Sequence, residues 1–481
     1  MSPAIATVVY SLLIVGLFWL DRDKKARTSV GLWIPVVWFS LACSRSVGQW
    51  LQVNSIDSPD QVLEGSPVDR LVFTGLLAVG LIVLVRRGQR VGRFLQANAI
   101  ILLFFFYCAV SLLWSDYPDV AFKRWTKALG DLVMILIVLS DREPTAALKR
   151  LLARATFVLI PLSILLIKYF PNLGRGYGVW LGEVHYSGVT TNKNALGVIC
   201  LIFGLGSVWR FLAAYRDRNC TGRTRRLIAH GIILSMVLWL FWIANSMTSI
   251  SSFLMASTLL LWANSRAASR RPALVHFLTA TMLAVSVAVL FFGVSPSVLG
   301  TMGRNPTLTD RTEVWSVCLS LVQNSVLGTG FESFWLGPRL EKMWSMYWWR
   351  PNEAHNGYLE IFLNLGWVGV AWLVVIIATG YRRVFRVWRS NVSTGSLVLA
   401  YFFMGLVYNF TEAAFLRMMA PAWIFFLFAM TSLPEAPSPK IPEISDSDRT
   451  RNGGAVKLRE TQASRDTEKG DRSHQLAGTR G

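Results

Sequence analysis

Charge is scarce in this chain. Of 481 residues only 16% are Asp, Glu, Lys or Arg, whereas 53% are hydrophobic, including 20 Trp and 28 Phe. That balance excludes an ordinary soluble domain and fits a polytopic helical membrane protein, in which the apolar side chains face lipid or one another. Cysteine is nearly absent. Cys43, Cys108, Cys200, Cys220 and Cys318 are scattered, mostly through apolar segments, and no CxxC occurs, so neither a disulfide framework nor a zinc site is implied. HExxH, GxSxG, GxGxxG and P-loop spacings are missing, as is any internal repeat, which removes the enzyme classes those motifs mark. Asp21-Arg22-Asp23 and Asp446-Ser447-Asp448 spell DxD, but three-residue matches are cheap and no nucleotide-binding domain surrounds them. No stretch is long enough for a soluble catalytic domain. Any chemistry is therefore done by helices and the loops between them.

The formal net charge of +20 would suggest nucleic acid in a soluble protein. Here the positive-inside bias accounts for it, and a nucleic-acid partner is excluded. Apolar runs against charged breaks give about thirteen spans of roughly 15–23 residues. They fall near 4–20, 30–44, 71–85, 95–114, 126–140, 155–170, 194–214, 227–244, 250–264, 273–293, 358–379, 393–410 and 421–433. The first run is followed by Asp21-Arg22-Asp23-Lys24-Lys25 rather than by a small-residue cleavage site, so it reads as a retained helix. Basic clusters occupy alternate connections, from Arg22/Lys24/Lys25/Arg27 through Arg86/Arg87/Arg90/Arg93 to Arg382/Arg383/Arg386/Arg389, and these should face the cytoplasm. The connections near 45–70, 115–125, 171–193, 245–249, 294–357 and 411–420 should then lie outside; the first and last of them look plain.

The longest outer loop, 294–357, has apolar residues at helical spacing over 310–324 (Val314, Trp315, Cys318, Leu319, Val322), which predicts an amphipathic helix. Residues 327–331 read as a turn, and Met343 to Trp349 supply aromatics suited to a membrane interface. From residue 434 the chain becomes Pro-rich, then polar, with nine basic against eight acidic residues. The expected organisation is a transmembrane domain over 1–433 and a disordered cytoplasmic tail over 434–481.

The most informative segment is 351–369, where His355 and Asn356 sit at the mouth of an apolar run that carries Gly366 and Gly369. An imidazole titrates near neutral pH, and placing one where a helix meets water costs far less than placing it mid-bilayer. Asn352, Glu353, Asn356 and Glu360 crowd around it. A helix starting near 356 would aim its first N–H groups at the same place and favour anions there. Gly366 and Gly369, one turn apart, would let a neighbouring helix approach closely. The bland alternative for His355 is a satisfied polar residue, the reading given to His230, His276 and His474.

Arginine on the outer side is what charge rules do not predict. Arg304 and Arg311 precede the amphipathic helix, and Arg124 starts a span after Trp114-Ser115-Asp116-Tyr117-Pro118. A guanidinium offers paired donors that match phosphate oxygens. The same residues could instead snorkel to headgroups or pair with Asp310, Glu313 or Asp119. A third polar collar holds Asn192, Lys193 and Asn194 at the start of a span; Lys193 could contact an anion, while helix capping explains part of the asparagine.

These residues together resemble the O-antigen ligase and Wzy-type polysaccharide polymerase superfamily, most of all its succinoglycan-type exopolysaccharide polymerases. The superfamily pattern is His-Asn/Ser/Gln, nine residues, then Gly-x-x-Gly or Gly-x-x-Thr, and His355, Asn356, Gly366 and Gly369 match it without a gap. Thr307 to Trp315 is similar to its Thr-Gly-Arg…Trp block, and Ser111 to Trp125 and Asn192 to Gly197 look like further shared blocks. The chain departs from many relatives in having Asn245 to Ser252 without arginine where they carry Ser-Arg, leaving Thr248 or Ser249 as polar candidates.

The resemblance implies an all-α protein of about 12–13 membrane helices with one long periplasmic loop, in a bacterial inner membrane. It implies a metal-independent, cofactor-free, inverting glycosyltransferase acting at the periplasmic face. His355 would be the base and Arg311 would stabilise the leaving diphosphate. Arg124, Arg304, Lys193, Asn194, Glu353 and Asn356 would bind diphosphate or sugar. The implied partners are an undecaprenyl-diphosphate-linked oligosaccharide, membrane lipids and other proteins of polysaccharide export or chain-length control. Two other readings stand beside polymerisation: ligation of the glycan to a lipid A core acceptor, and transport of a lipid-linked sugar or small anion.

Overall fold

The computed structural model describes residues 1–433, apart from 24–25, 53–65, 178–183, 219–220 and 293–307, and apart from the side chains of 289–292 and 308–310. Arg304 and the expected tail 434–481 lie outside the described residues. Among the described residues the chain is helical except for connections and one short antiparallel hairpin, Arg175–Tyr177 against Val184–Tyr186. This is the all-α polytopic architecture expected.

Among the described residues six helices are long and apolar enough to cross a membrane, and the pair Gly88–Ala97 and Ala99–Trp114, bent by 81°, makes a seventh if taken as one span. Five shorter apolar helices, Val30–Ala42, Met247–Ala263, Pro272–Ala288, Val392–Tyr408 and Pro421–Thr431, fall on further expected runs. The remaining run falls on Pro118–Leu139, which carries Lys123, Arg124, Lys127 and Asp131 in the same helix. Burial sorts these helices into centre and rim. Lys193–Arg216 has 78% of its apolar window buried by protein, whereas Pro3–Leu20 has 11% and turns most of its side chains outward. Val392–Tyr408 and Pro421–Thr431 are covered almost throughout and form the middle of the bundle.

The connections sort into two ends as the alternation of charge requires. At one end Arg87 reaches Ser140, Ser29 and Asp141, Arg210 pairs with Asp21 at 2.7 Å, and Arg226 pairs with Asp23 at 3.0 Å. At the other, Arg45 donates to the Leu173 carbonyl, Arg339 pairs with Asp116 at 2.8 Å, and Ser115 bonds Ser333 at 2.7 Å. This second end also has a small core of its own. Helix Leu308–Ser320 buries Val314 and Cys318 against Phe334, Leu340, Met343 and Leu363.

One buried carboxylate lies inside the bundle. Asp131 is fully covered within Pro118–Leu139, and it accepts from Trp38 Nε1 at 2.8 Å and from the Met419 N–H at 3.0 Å. Two donors on one carboxylate meet the demand that a buried polar group be satisfied. They also fasten the connection after Val392–Tyr408 to two helices of the bundle.

The expectation for Gly366 and Gly369 needs correction. Gly366 is where the helix Gly357–Ser390 breaks, with φ 63° and ψ −163°, a region open almost only to glycine. The break releases backbone groups that the segment 325–330 takes up: Trp367 and Val368 donate to the carbonyls of Ser325 and Val326, and Gly330 donates to that of Asn364. A loop, not a helix, approaches this glycine, and a Cβ there would lie 2.2 Å from the Val326 oxygen. A Cβ on Gly369 would meet Leu365 of its own helix at 2.3 Å. Gly366→Ala is therefore expected to destabilise the fold by about 3 kcal/mol. The measurement is membrane abundance together with the melting temperature in detergent; a normal melt would mean the break is not required.

Candidate active site

The helix that carries the site starts at Gly357 because Asn356 caps it. Its Oδ1 accepts from the N–H groups of Tyr358 and Leu359, both at 3.0 Å. The Gly357 N–H donates to the carbonyls of Asn409 and Glu412. The first N–H groups are thus already satisfied by protein, so the helix start is not the vacant anion site expected of it.

His355, one residue before the cap, has a left-handed φ of 51°. Its Nδ1 lies 3.1 Å from Glu353 Oε1 and 3.3 Å from Glu412 Oε2. With acceptors on both sides the proton belongs on Nδ1, and Nε2 is left as the ring's acceptor. The side chain is 27% exposed, enough for a substrate to reach it. Glu412 is buried, and its other oxygen accepts from Asn194 Nδ2 at 3.2 Å. Glu353 spends its other oxygen on an ion pair with Arg417.

Arg311 enters from helix Leu308–Ser320 and donates to the Thr411 carbonyl at 2.8 Å. The Thr411 hydroxyl bonds that of Thr248 at 3.0 Å. The residue just before Glu412 is therefore held from two sides, one of them the Thr248 for which the sequence left a polar role open. Lys193 is exposed beside Asn194, and Asn192 caps its helix through Ala195 N at 2.9 Å.

Arg124 stands apart from this group. It donates to the Glu332 carbonyl at 2.5 Å and lies 3.9 Å from the Glu332 carboxylate. With Glu353 and Arg417 it lines a cavity of about 190 Å³ next to His355. Burial pushes the Arg417 guanidinium below its ordinary value, and the Glu332 carboxylate opposes that shift.

His355, Glu353, Asn356, Asn194 and Arg311 thus meet around the connection that follows Tyr408. The residues passed over in the sequence are Glu412 and Arg417, both in the connection 411–420 read as plain. A signal was there: an acid and a base stand in a short, otherwise apolar connection between two spans, where ionisable residues are rare without a purpose.

Glu353, His355 and Glu412 offer ligand atoms that all lie within 4.8 Å of one another, close enough for one divalent cation to bridge. The other commitments of the set weigh against that role. Glu353 already holds a guanidinium, whose permanent charge repels a cation, and Glu412 already accepts from Asn194.

Fold and site together define a multi-pass helical membrane protein with a carboxylate-flanked imidazole at one end of its bundle. Residues 190–374 match the O-antigen ligase family. Over 295 residues, 58% of its length, the chain is 22% identical to the exopolysaccharide production protein ExoQ of Rhizobium meliloti (strain 1021). The match spans 64% of that relative, just under two thirds. The chain is therefore similar to the O-antigen ligase and ExoQ-like proteins, as the His355 motif predicts. The family match takes in Asn194, Arg311 and His355 and ends before Glu412 and Arg417.

Proposed function

We propose that the protein is a membrane glycosyltransferase that lengthens an exopolysaccharide from undecaprenyl-diphosphate-linked repeat units, at the periplasmic face of a bacterial inner membrane. The observation that carries this reading is the imidazole of His355 between Glu353 and Glu412. His355 Nε2 takes the proton of an acceptor sugar hydroxyl, and the carboxylates offset the charge that the ring gains. The hydroxyl oxygen attacks the anomeric carbon from the face opposite the diphosphate. The carbon–oxygen bond to the diphosphate breaks, and the lipid diphosphate leaves with the electron pair, so the configuration inverts. Negative charge growing on that diphosphate is met by the cationic groups Arg311, Lys193 and Arg304. Permanently charged groups in that role make a metal unnecessary. The catalytic domain is 1–433, and 434–481 is a cytoplasmic tail.

Ligation to a lipid A core sugar is the second reading, favoured by the name of the matching family. It differs only in the acceptor. A transporter reading has less support, since transport sites use ionisable residues near the midplane. The groups around His355 gather instead at one end of the bundle, and Asp131, the carboxylate inside it, has both oxygens engaged by Trp38 and Met419.

The test is purified protein in detergent with lipid-diphosphate oligosaccharide, with and without EDTA. Longer chains and released lipid diphosphate are expected, at equal rates in both arms. Absence of elongation in both arms would sink the polymerase reading, and loss of activity with EDTA alone would return Glu353, His355 and Glu412 to the role of metal ligands.

A further inference from the structure

We propose that the cavity beside His355 seats one uncharged sugar ring, that of the acceptor, and does not bind the diphosphate. This rests on the glycosyl-transfer reading and deepens it. The walls carry two guanidiniums, Arg124 and Arg417, against three carboxyl groups, Glu332, Glu353 and Glu360. The positive charge is committed: Arg124 to the carbonyl and carboxylate of Glu332, Arg417 to Glu353. A diphosphate entering here would meet no surplus cation and would face carboxyl groups, a repulsion that a neutral polyol does not suffer.

The rest of the wall suits a sugar. Trp335 and Trp344 both line the cavity, giving flat apolar faces beside the polar groups. They are held in place. Trp335 Nε1 donates to both oxygens of Glu360 at 2.9 and 3.0 Å, and Trp344 Nε1 donates to the Pro351 carbonyl at 3.0 Å. Glu360 is held further by the Ala354 N–H at 2.6 Å and by Asn364 at 3.4 Å. Those bonds occupy the acceptor positions of Glu360, so its part is to fix the Trp335 ring in the wall before any ligand arrives.

Size agrees. The cavity of about 190 Å³ has room for a sugar ring. Position favours the acceptor. Glu353 lines the cavity and touches His355 Nδ1 with Oε1, so a ring seated here lies one side chain from the imidazole, and the acceptor reaches Nε2 with the sugar that follows it.

The test is binding, which needs no turnover. The probe is the repeat-unit oligosaccharide released from the producing cell's own exopolysaccharide, free of lipid and phosphate, added to purified full-length protein and followed by saturation-transfer NMR. Inorganic diphosphate is the competitor. Wild-type protein is expected to bind the oligosaccharide, Trp344→Ala to weaken it about tenfold or more, and diphosphate to leave it unchanged. Trp335→Phe, which keeps an aromatic face but removes the donor to Glu360, is expected to weaken binding less than Trp344→Ala does. Melting temperature in detergent identifies a variant that has failed to fold, and the other variant then decides. Competition by diphosphate, or equal affinity in folded Trp344→Ala and Trp335→Phe, overturns the proposal. Acceptor and donor rings are told apart by lipid-diphosphate donor added to oligosaccharide bound to His355→Ala, in which transfer is blocked: an acceptor subsite keeps its oligosaccharide, and displacement by the donor refutes the acceptor assignment. Tryptophan-dependent binding by a protein that never elongates chains would defeat the polymerase reading and leave the subsite standing. Elongation with affinity unmoved by either tryptophan variant would do the reverse.

Discussion

His355→Ala is expected to stop polymer growth, lowering the transfer rate by about 10²–10⁴-fold while membrane abundance and melting temperature stay at wild-type levels. The side chain is partly exposed and its bonds run to Glu353 and Glu412, so removing it takes away little packing. Glu353 keeps its pair with Arg417 and Glu412 keeps Asn194, which leaves neither carboxylate without a partner. Glu412→Gln probes the same base from behind. A carboxamide can donate to Nδ1, and it then no longer requires the proton there, so the acceptor at Nε2 is lost in part of the molecules. The expected result is a lower kcat with KM unchanged, because orientation of the base acts on the transition state and not on sugar binding. Normal-length polymer from His355→Ala would remove the imidazole from the mechanism, whatever the glutamine variant does.

The parts of this molecule legible in its sequence are those set by local pattern. Apolar runs between charged breaks located the helices, because lipid leaves the backbone few other ways to satisfy itself. His355 and Asn356 stood out because polar groups clustered at the mouth of such a run, and Asn356 does cap it. What escaped depends on contacts distant in the chain. Glu412 lies 57 residues from His355 and 218 from Asn194, and no spacing announces either bond. No local pattern marks Asp131, which binds Trp38 and Met419 from elements far away. Gly366 was visible but misread. A glycine in an apolar run serves close helix packing or a positive φ, and only the docking of 325–330 against it decides for the second. Arg124 was visible too, but its commitment to Glu332 depends on a turn whose position the pattern could not supply.

Arg311→Lys is expected to cost about 10²–10³-fold in transfer rate, although the charge is conserved. In the resting site one guanidinium nitrogen holds the Thr411 carbonyl at 2.8 Å, and the planar fork presents further donors in a fixed direction. A lysine ammonium can satisfy the carbonyl or turn toward a phosphate oxygen, but it cannot reproduce the paired, fixed geometry of both. Two effects then add: the residue before Glu412 loses one of its two supports, and charge on the departing diphosphate is met less well. They separate by leaving group. Loss through slack at Thr411 should be the same for every donor and should be matched by Thr248→Val, which removes the other support. Loss through the diphosphate should deepen in Arg311→Lys alone when the donor carries a poorer leaving group, since more charge then rests on that group in the transition state. Single-turnover rates with two lipid-linked donors measure both. A lysine variant that works at the wild-type rate with either donor would reduce Arg311 to simple charge attraction and leave Lys193 and Arg304 to hold the diphosphate.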